Sequence, residues 1–153
     1  EMKSVKVSSV VNQAIGRVAK EAGNKKQAIS TKKIDTGTMT VNEPSVVEAL
    51  VTLLENAIKY SPEKAEISVT TKRSKTALDI VVKDNGIGIP EAVQEHIFDR
   101  FYRVDSSRNK QVADGYGIGL SIAKSVVESH GGTISVKSAE GAGSTFTLSF
   151  PVK

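Results

Sequence analysis

The amino-acid sequence predicts an α+β fold, a two-layer α/β sandwich in which helices cover one face of a mixed β-sheet. Three observations predict it. Segments with the two-residue alternation of strands are interspersed with helical segments, without strict β-α alternation. Three stretches are long enough and suitably bounded for helices, at residues 8–22, 43–60 and 119–130. Two segment pairs, 66–72 with 77–83 and 133–138 with 144–150, alternate across short polar turns and read as antiparallel hairpins. A chain of 153 residues suits a single domain over residues 1–153 with one hydrophobic core.

The elements follow in order. Residues 3–7 alternate and read as a short strand. Ser8 or Ser9 caps a helix running to about Ala22, where Gly23-Asn24 stops it. Residues 27–31 and 38–41 read as strands joined by the turn around Asp35-Thr36-Gly37. Asn42 caps the next helix, Pro44 lies in its first turn, and Ser61-Pro62 ends it after Tyr60. Val46, Leu50, Leu53, Leu54 and Ala57 share one face of that helix and should enter the core. The strand 77–83 runs straight into Asp84-Asn85-Gly86. A short helix is expected over about residues 91–97, and Gly131-Gly132 stops the last long helix.

Composition narrows the function. Apolar residues make up 39% and charged residues 25%, ordinary for a globular protein. No apolar run approaches the ~20 residues that cross a bilayer, and no signal peptide is evident. The absence of cysteine excludes disulfides and thiolate metal sites and fits a reducing compartment. The net charge of +4 is unevenly placed. Residues 1–33 carry eight Lys/Arg against two Glu, and the remainder carries thirteen against fifteen acids. The excess is an N-terminal feature that fits a solvated face or a neighbouring segment better than nucleic acid, and no Trp or aromatic series offers a stacking platform.

Three elements carry chemistry. On the helix 43–60, Asn56 offers a neutral carbonyl oxygen suited to Mg²⁺, Lys59 a charge for phosphate, and Tyr60 a ring to cover a base. Asp84-Asn85-Gly86-Ile87-Gly88-Ile89-Pro90 puts a carboxylate acceptor at a strand end, where it would pair with the amine of adenine and oppose the carbonyl of guanine. Gly86 and Gly88 permit close backbone approach. Gly115-Tyr116-Gly117-Ile118-Gly119-Leu120 opens a helix whose N–H groups can face a phosphate. It is neither a dinucleotide fingerprint nor a Walker A loop. Between the glycine elements, Phe98-Asp99-Arg100-Phe101-Tyr102-Arg103 and a polar run to Asp114 have the layout of a lid over about residues 99–115. Taken singly, each element also reads as a solvated helix face, a plain loop or a surface loop hinged on core phenylalanines.

Taken together and in this order, they resemble the catalytic, ATP-binding domain of sensor histidine kinases. Residues 53–62 (LLENAIKYSP) look like that family's N box, 84–90 its G1 box, 97–105 its F box and 115–120 its G2 box. His130-Gly131-Gly132 and Gly143-Ser144-Thr145-Phe146 match later signatures. The resemblance implies the Bergerat ATP fold shared with gyrase, mismatch-repair and chaperone ATPases, with ATP and Mg²⁺ as cofactors. It implies Asn56 on the metal, Lys59 at phosphate, Tyr60 by the base, and Asp84 on the adenine amine with help from Thr145 through water. Gly86, Gly88 and Leu120 would belong to the cofactor-binding set; Gly115, Gly117 and Gly119 would border the phosphates; Arg103 would approach the γ-phosphate. The implied partners are ATP/ADP, a histidine-bearing dimerisation domain of the same kinase and a downstream response regulator. The implied location is a cytoplasmic domain of a membrane-anchored protein, with no nucleic acid and no membrane insertion of this segment.

Two departures matter. Thr52 stands where many histidine kinases have a second Asn and hydrolytic relatives a Glu base, so Thr52 is a weaker ligand and no base at pH 7. Glu55, adjacent to Asn56, is a catalytic candidate that its helix angle makes second-tier or substrate-facing. His96 and His130 are the two histidines, and neither has the surroundings of a phosphoacceptor. His130 reads as structural and His96 as surface or packing. A serine kinase of the anti-sigma-factor type and a nucleotide-holding module without transfer are the competing readings.

Overall fold

A computed structural model describes residues 1–99 and 118–152. Its elements are β1 (Lys3–Lys6), α1 (Val7–Asn24), β2 (Ala28–Lys33), β3 (Thr38–Val41), α2 (Glu43–Tyr60), β4 (Glu66–Arg73), β5 (Ala77–Asp84), α3 (Glu91–Gln94), α4 (Ile118–Ser129), β6 (Thr133–Ser138) and β7 (Ser144–Pro151). A five-stranded sheet has the order β2-β4-β5-β7-β6, with β2 parallel to β4 and every other pair antiparallel. α1, α2 and α4 lie side by side, with α2 in the middle.

Strand parity decides which residues reach the helices. On β5, Leu78, Ile80 and Val82 are buried, and on β7 so are Phe146, Leu148 and Phe150. With Ile67 and Val69 of β4 they make an apolar floor under α2, whose Leu50, Leu53, Leu54 and Ala57 are buried as the helical spacing predicts. Asn42 caps α2 as expected, its Oδ1 accepting from the Ser45 N–H at 3.0 Å.

The N-terminal part departs from expectation. Neither Ser8 nor Ser9 caps α1. The helix starts at Val7, whose N–H donates to the Gly37 carbonyl, and the Ser9 hydroxyl donates to Glu43 on α2. β3 does not join the large sheet. It pairs with β1, from Lys3 opposite Val41 to Lys6 opposite Thr38, so the turn at Asp35-Gly37 links two sheets rather than two strands of one. Arg73 holds that turn by donating to both oxygens of Asp35 at 3.0 Å and to the Thr38 carbonyl at 2.8 Å. The short helix is a single turn, Glu91–Gln94.

Candidate functional site

The parity that buries Leu78, Ile80 and Val82 also carries Asp84 onto the helix face, at the strand's last position. The Asp84 side chain is 7% exposed. Burial pushes its carboxyl above the ordinary carboxylate range, and the N–H groups of Gly86 and Ser144 partly oppose this. Both N–H groups donate to Oδ1, at 2.8 and 3.2 Å, so among the described residues Oδ2 is the oxygen left for a ligand.

The turn after Asp84 is packed against the end of α2. The Ile87 N–H donates to the Tyr60 carbonyl at 3.2 Å, and a Cβ at Gly86 would lie 2.3 Å from that same oxygen. Only a residue without a side chain allows this approach. On its other side the turn meets the β6–β7 connection. Gly88 lies against the Ala139 carbonyl, the Gly141 N–H donates to the Ile87 carbonyl, and the Ile89 N–H donates to the Ser138 hydroxyl at 2.8 Å. Gln94 of α3 closes the corner by donating to the Ile89 and Ser138 carbonyls.

Along α2, Asn56 is 7% exposed, and its Nδ2 is buried without a hydrogen-bond partner among the described residues. Tyr60, one turn on, is buried in the core cluster, while Lys59 is exposed with its Nζ 5.7 Å from the Tyr60 ring centroid. Thr52 folds its hydroxyl back onto the Glu48 carbonyl at 3.1 Å. Glu55 is exposed, and its charged neighbours are Glu21 and Arg17 of α1 and Glu48 of α2. It therefore belongs to the α1 side of the helix and is not brought together with Asn56 and Asp84. Desolvation, ahead of the charge of Glu21, raises its carboxyl pKa.

Two other candidates are placed differently from expectation. Thr145 pairs with Lys83 on the sheet face away from the helices, and the residue opposite Asp84 is Ser144. Ser144 is buried, its N–H reaches Asp84 and its hydroxyl lies 2.9 Å from that of Ser138. Strand parity through Phe146, Leu148 and Phe150 was the signal that distinguishes the two. Leu120 is fully buried in line with Ala123 and Val127, the core stripe of α4, so its side chain packs the helix and only its backbone is left to border a ligand. Gly119 lies in the first turn of α4. Arg103, Gly115, Gly117 and most of the expected lid lie outside the described residues.

His130 is bonded into the fold and His96 lies at the surface. His130 Nε2 accepts from the Asn42 N–H at 3.0 Å, so Nδ1 carries the proton it donates to the Val126 carbonyl at 2.7 Å. Its ring meets Phe150 edge-on. His96 stands at the surface between Glu95 and Asp99.

Comparison with known proteins agrees with this geometry. The family model "Histidine kinase-, DNA gyrase B-, and HSP90-like ATPase" matches residues 41–153. The chain is 38% identical over 151 residues to the sensor-like histidine kinase SenX3 of Mycolicibacterium smegmatis, covering 99% of this chain and 39% of that protein. The chain thus spans about two-fifths of that relative's length. The mycobacterial sensor histidine kinase MprB has the same fold, with a TM-score of 0.85 at 24% identity over 99% of this chain and 97% of that one. The histidine kinase ThkA, solved in complex with the response regulator protein TrrA, matches with a TM-score of 0.80 at 20% identity over 99% of this chain and 42% of that one. No helix among the described residues is long and apolar enough to cross a membrane. The chain belongs to the histidine kinase-, DNA gyrase B- and HSP90-like ATPase family, and within it is the catalytic ATP-binding domain of the sensor histidine kinase type.

Proposed function

We propose that residues 1–153 act as one catalytic unit that binds Mg·ATP and passes the γ-phosphate to a histidine on a separate dimerisation hairpin of the same kinase. The phosphoryl group would then move to a response regulator, the class of partner in the ThkA complex, in a membrane-anchored protein with this domain in the cytoplasm. The observation that carries the reading is the buried carboxylate of Asp84. Two backbone N–H groups hold Oδ1, and Oδ2 remains as an acceptor for the exocyclic amine of adenine. Lys59, exposed at the rim, is available to phosphate, and Ser144 takes the supporting place first given to Thr145.

The residues present fit Mg²⁺ held mainly through nucleotide. Among the described residues no group of three or more His, Cys, Asp or Glu could hold a metal. Asn56 is buried with its Nδ2 unpartnered among the described residues, and its amide oxygen is a ligand of the kind Mg²⁺ takes. When bound, Mg²⁺ would neutralise charge across the phosphates. Asn56→Ala is accordingly expected to weaken Mg²⁺-dependent ATP binding at least about tenfold. Metal-free ADP binding should change little. Calorimetric titrations with and without EDTA measure both, and equal losses would make Asn56 a structural residue.

Transfer itself forms a P–N bond to the attacking imidazole and breaks the bond from γ-phosphorus to the β–γ bridging oxygen, releasing ADP. Positioning of the nucleophile accounts for ~7–11 kcal/mol of such a barrier. Thr52, its hydroxyl bonded back to its own helix, is not itself a base that could activate water. The chain alone should therefore bind ATP, hydrolyse it slowly and take up no label. Adding a cognate histidine hairpin in trans should produce acid-labile phosphohistidine slowly, because the effective concentration of a tether is missing. Efficient labelling of His96 or His130 in the isolated chain would overturn the reading, and acid-stable phosphoserine would favour the serine-kinase alternative.

A further inference from the structure

Asn56, Lys59 and Tyr60, three of the groups assigned to nucleotide, sit toward the C-terminal end of α2, where the last carbonyls have no partner inside the helix. Here they are met from another element. Lys25 Nζ donates to the carbonyls of Ser61 at 2.7 Å, Ile58 at 2.8 Å and Lys59 at 3.3 Å. Gln27 Nε2 lies within hydrogen-bond distance of the carbonyls of Ile58 and Pro62, both at 3.1 Å, and of Ser61 at 3.2 Å. Both residues belong to the connection between α1 and β2, more than thirty positions earlier in the chain.

Local structure is arranged to aim them together. Lys26 between them has φ +56, a left-handed conformation that a lysine rarely adopts. The Lys25 carbonyl accepts from the N–H of Lys64, itself at φ +67, and the Ala28 N–H donates to the Ala65 carbonyl. Gln27 is 8% exposed, and its Oε1 has no partner among the described residues, so its amide serves the α2 carbonyls alone. The Lys25 ammonium sits where the helix dipole is negative, and no described carboxylate pairs with it.

We propose that Lys25 and Gln27 are positioning residues for nucleotide binding. This rests on the ATP-binding reading above. By tying the carbonyls of Ile58, Lys59, Ser61 and Pro62, they set the end of α2 from one side while the Asp84 turn packs on it from the other. The Tyr60 carbonyl lies between the two, taking the Ile87 N–H and lying in close contact with Gly86. Loosening the Lys25 side therefore shifts Lys59, Tyr60 and the turn that follows Asp84 together, while every side chain assigned to the ligand keeps its identity.

The test compares Lys25→Met, Lys25→Arg and Val18→Ala with the unaltered chain by ADP calorimetry and amide exchange, at a temperature where all are folded. Lys25→Met removes the ammonium but keeps the stem, and should weaken ADP about tenfold and speed exchange of the Ile87 amide. Lys25→Arg should restore most of both. Val18→Ala opens a cavity on α1 away from the pocket and should lower the melting temperature with ADP affinity unchanged. If Lys25→Met does not fold, Lys25→Gln, which is neutral but still a donor, should show the same two changes in smaller measure. A Lys25 variant that melts lower yet binds ADP within about twofold of the unaltered chain overturns the proposal alone. Failure of the unaltered chain to bind ADP overturns the nucleotide reading and this proposal with it.

Discussion

Replacing Asp84 with Asn should weaken ADP binding by about 10- to 200-fold, the loss expected when a hydrogen bond to a charged group is removed. The empty domain should be no less stable at neutral pH. The amide oxygen can still accept from Gly86 and Ser144, and the substitution removes a charge that burial penalises. The sign follows from the raised carboxyl pKa. Stability contributed by Asp84 is fully present below its unfolded pKa and is lost as pH rises through the higher folded value. Adenine binding runs the other way, because the ionised form is the better acceptor for the amine. ADP affinity should therefore fall on acidification at a higher pH than an ordinary aspartate would allow, and that dependence should vanish in Asp84→Asn. GDP should bind the unaltered chain more weakly than ADP by a similar factor. Calorimetry across pH, with thermal melts of both proteins, decides the matter. Equal ADP and GDP affinities would remove Asp84 from the base pocket.

Gly143→Ala should destabilise the domain by about 3 kcal/mol and lower ADP affinity with it. Gly143 has φ +86, and a Cβ there would lie 2.2 Å from the Asp84 carbonyl and 2.9 Å from the Cα of Asn85. β5 and β7 would have to separate at the rung where Ser144 faces Asp84, which pulls the Ser144 N–H away from the carboxylate. The melting temperature should fall by roughly 6–12 °C for a domain of this size. Gly141→Ala is the matched control. Gly141 is also left-handed, at φ +81, but a Cβ there meets nothing within 4 Å. It should lose only the conformational term, about 1 kcal/mol, with unchanged ADP affinity. Equal losses from both substitutions would show that the close approach at Gly143 contributes nothing.

The difference between these glycines shows where sequence reading stops. Both stand in one turn between two strands, and local pattern makes them equivalent. Only the pairing of β7 with β5, sixty positions apart in the chain, presses one of them against Asp84. The same distinction separates Thr145 from Ser144. Both are hydroxyl residues after Gly143, and the partner strand decides that Ser144 faces the carboxylate while Thr145 faces away.

Elements whose information is local were legible in the residues alone. α2 carries its own cap at Asn42, its apolar stripe at 3.6-residue spacing and its stop at Ser61-Pro62, so its limits and the burial of Leu50, Leu53 and Leu54 were readable. β5 carries its alternation into Asp84 and the glycines beyond, so the burial of that carboxylate at the strand's end was readable. Features that depend on non-local partners emerged with the packing of distant segments. β3 leaves the main sheet for β1, and four-residue strands hold too little pattern to name their neighbour. Glu55 is turned toward Arg17 and Glu21, because the packing of α1 on α2 chooses which side of the helix meets which charges. Lys25 and Gln27 read as ordinary polar loop residues until the fold brings them to the carbonyls of α2. A hydrogen bond between groups more than thirty residues apart leaves no periodicity in the sequence, because it is set by where two elements end in space.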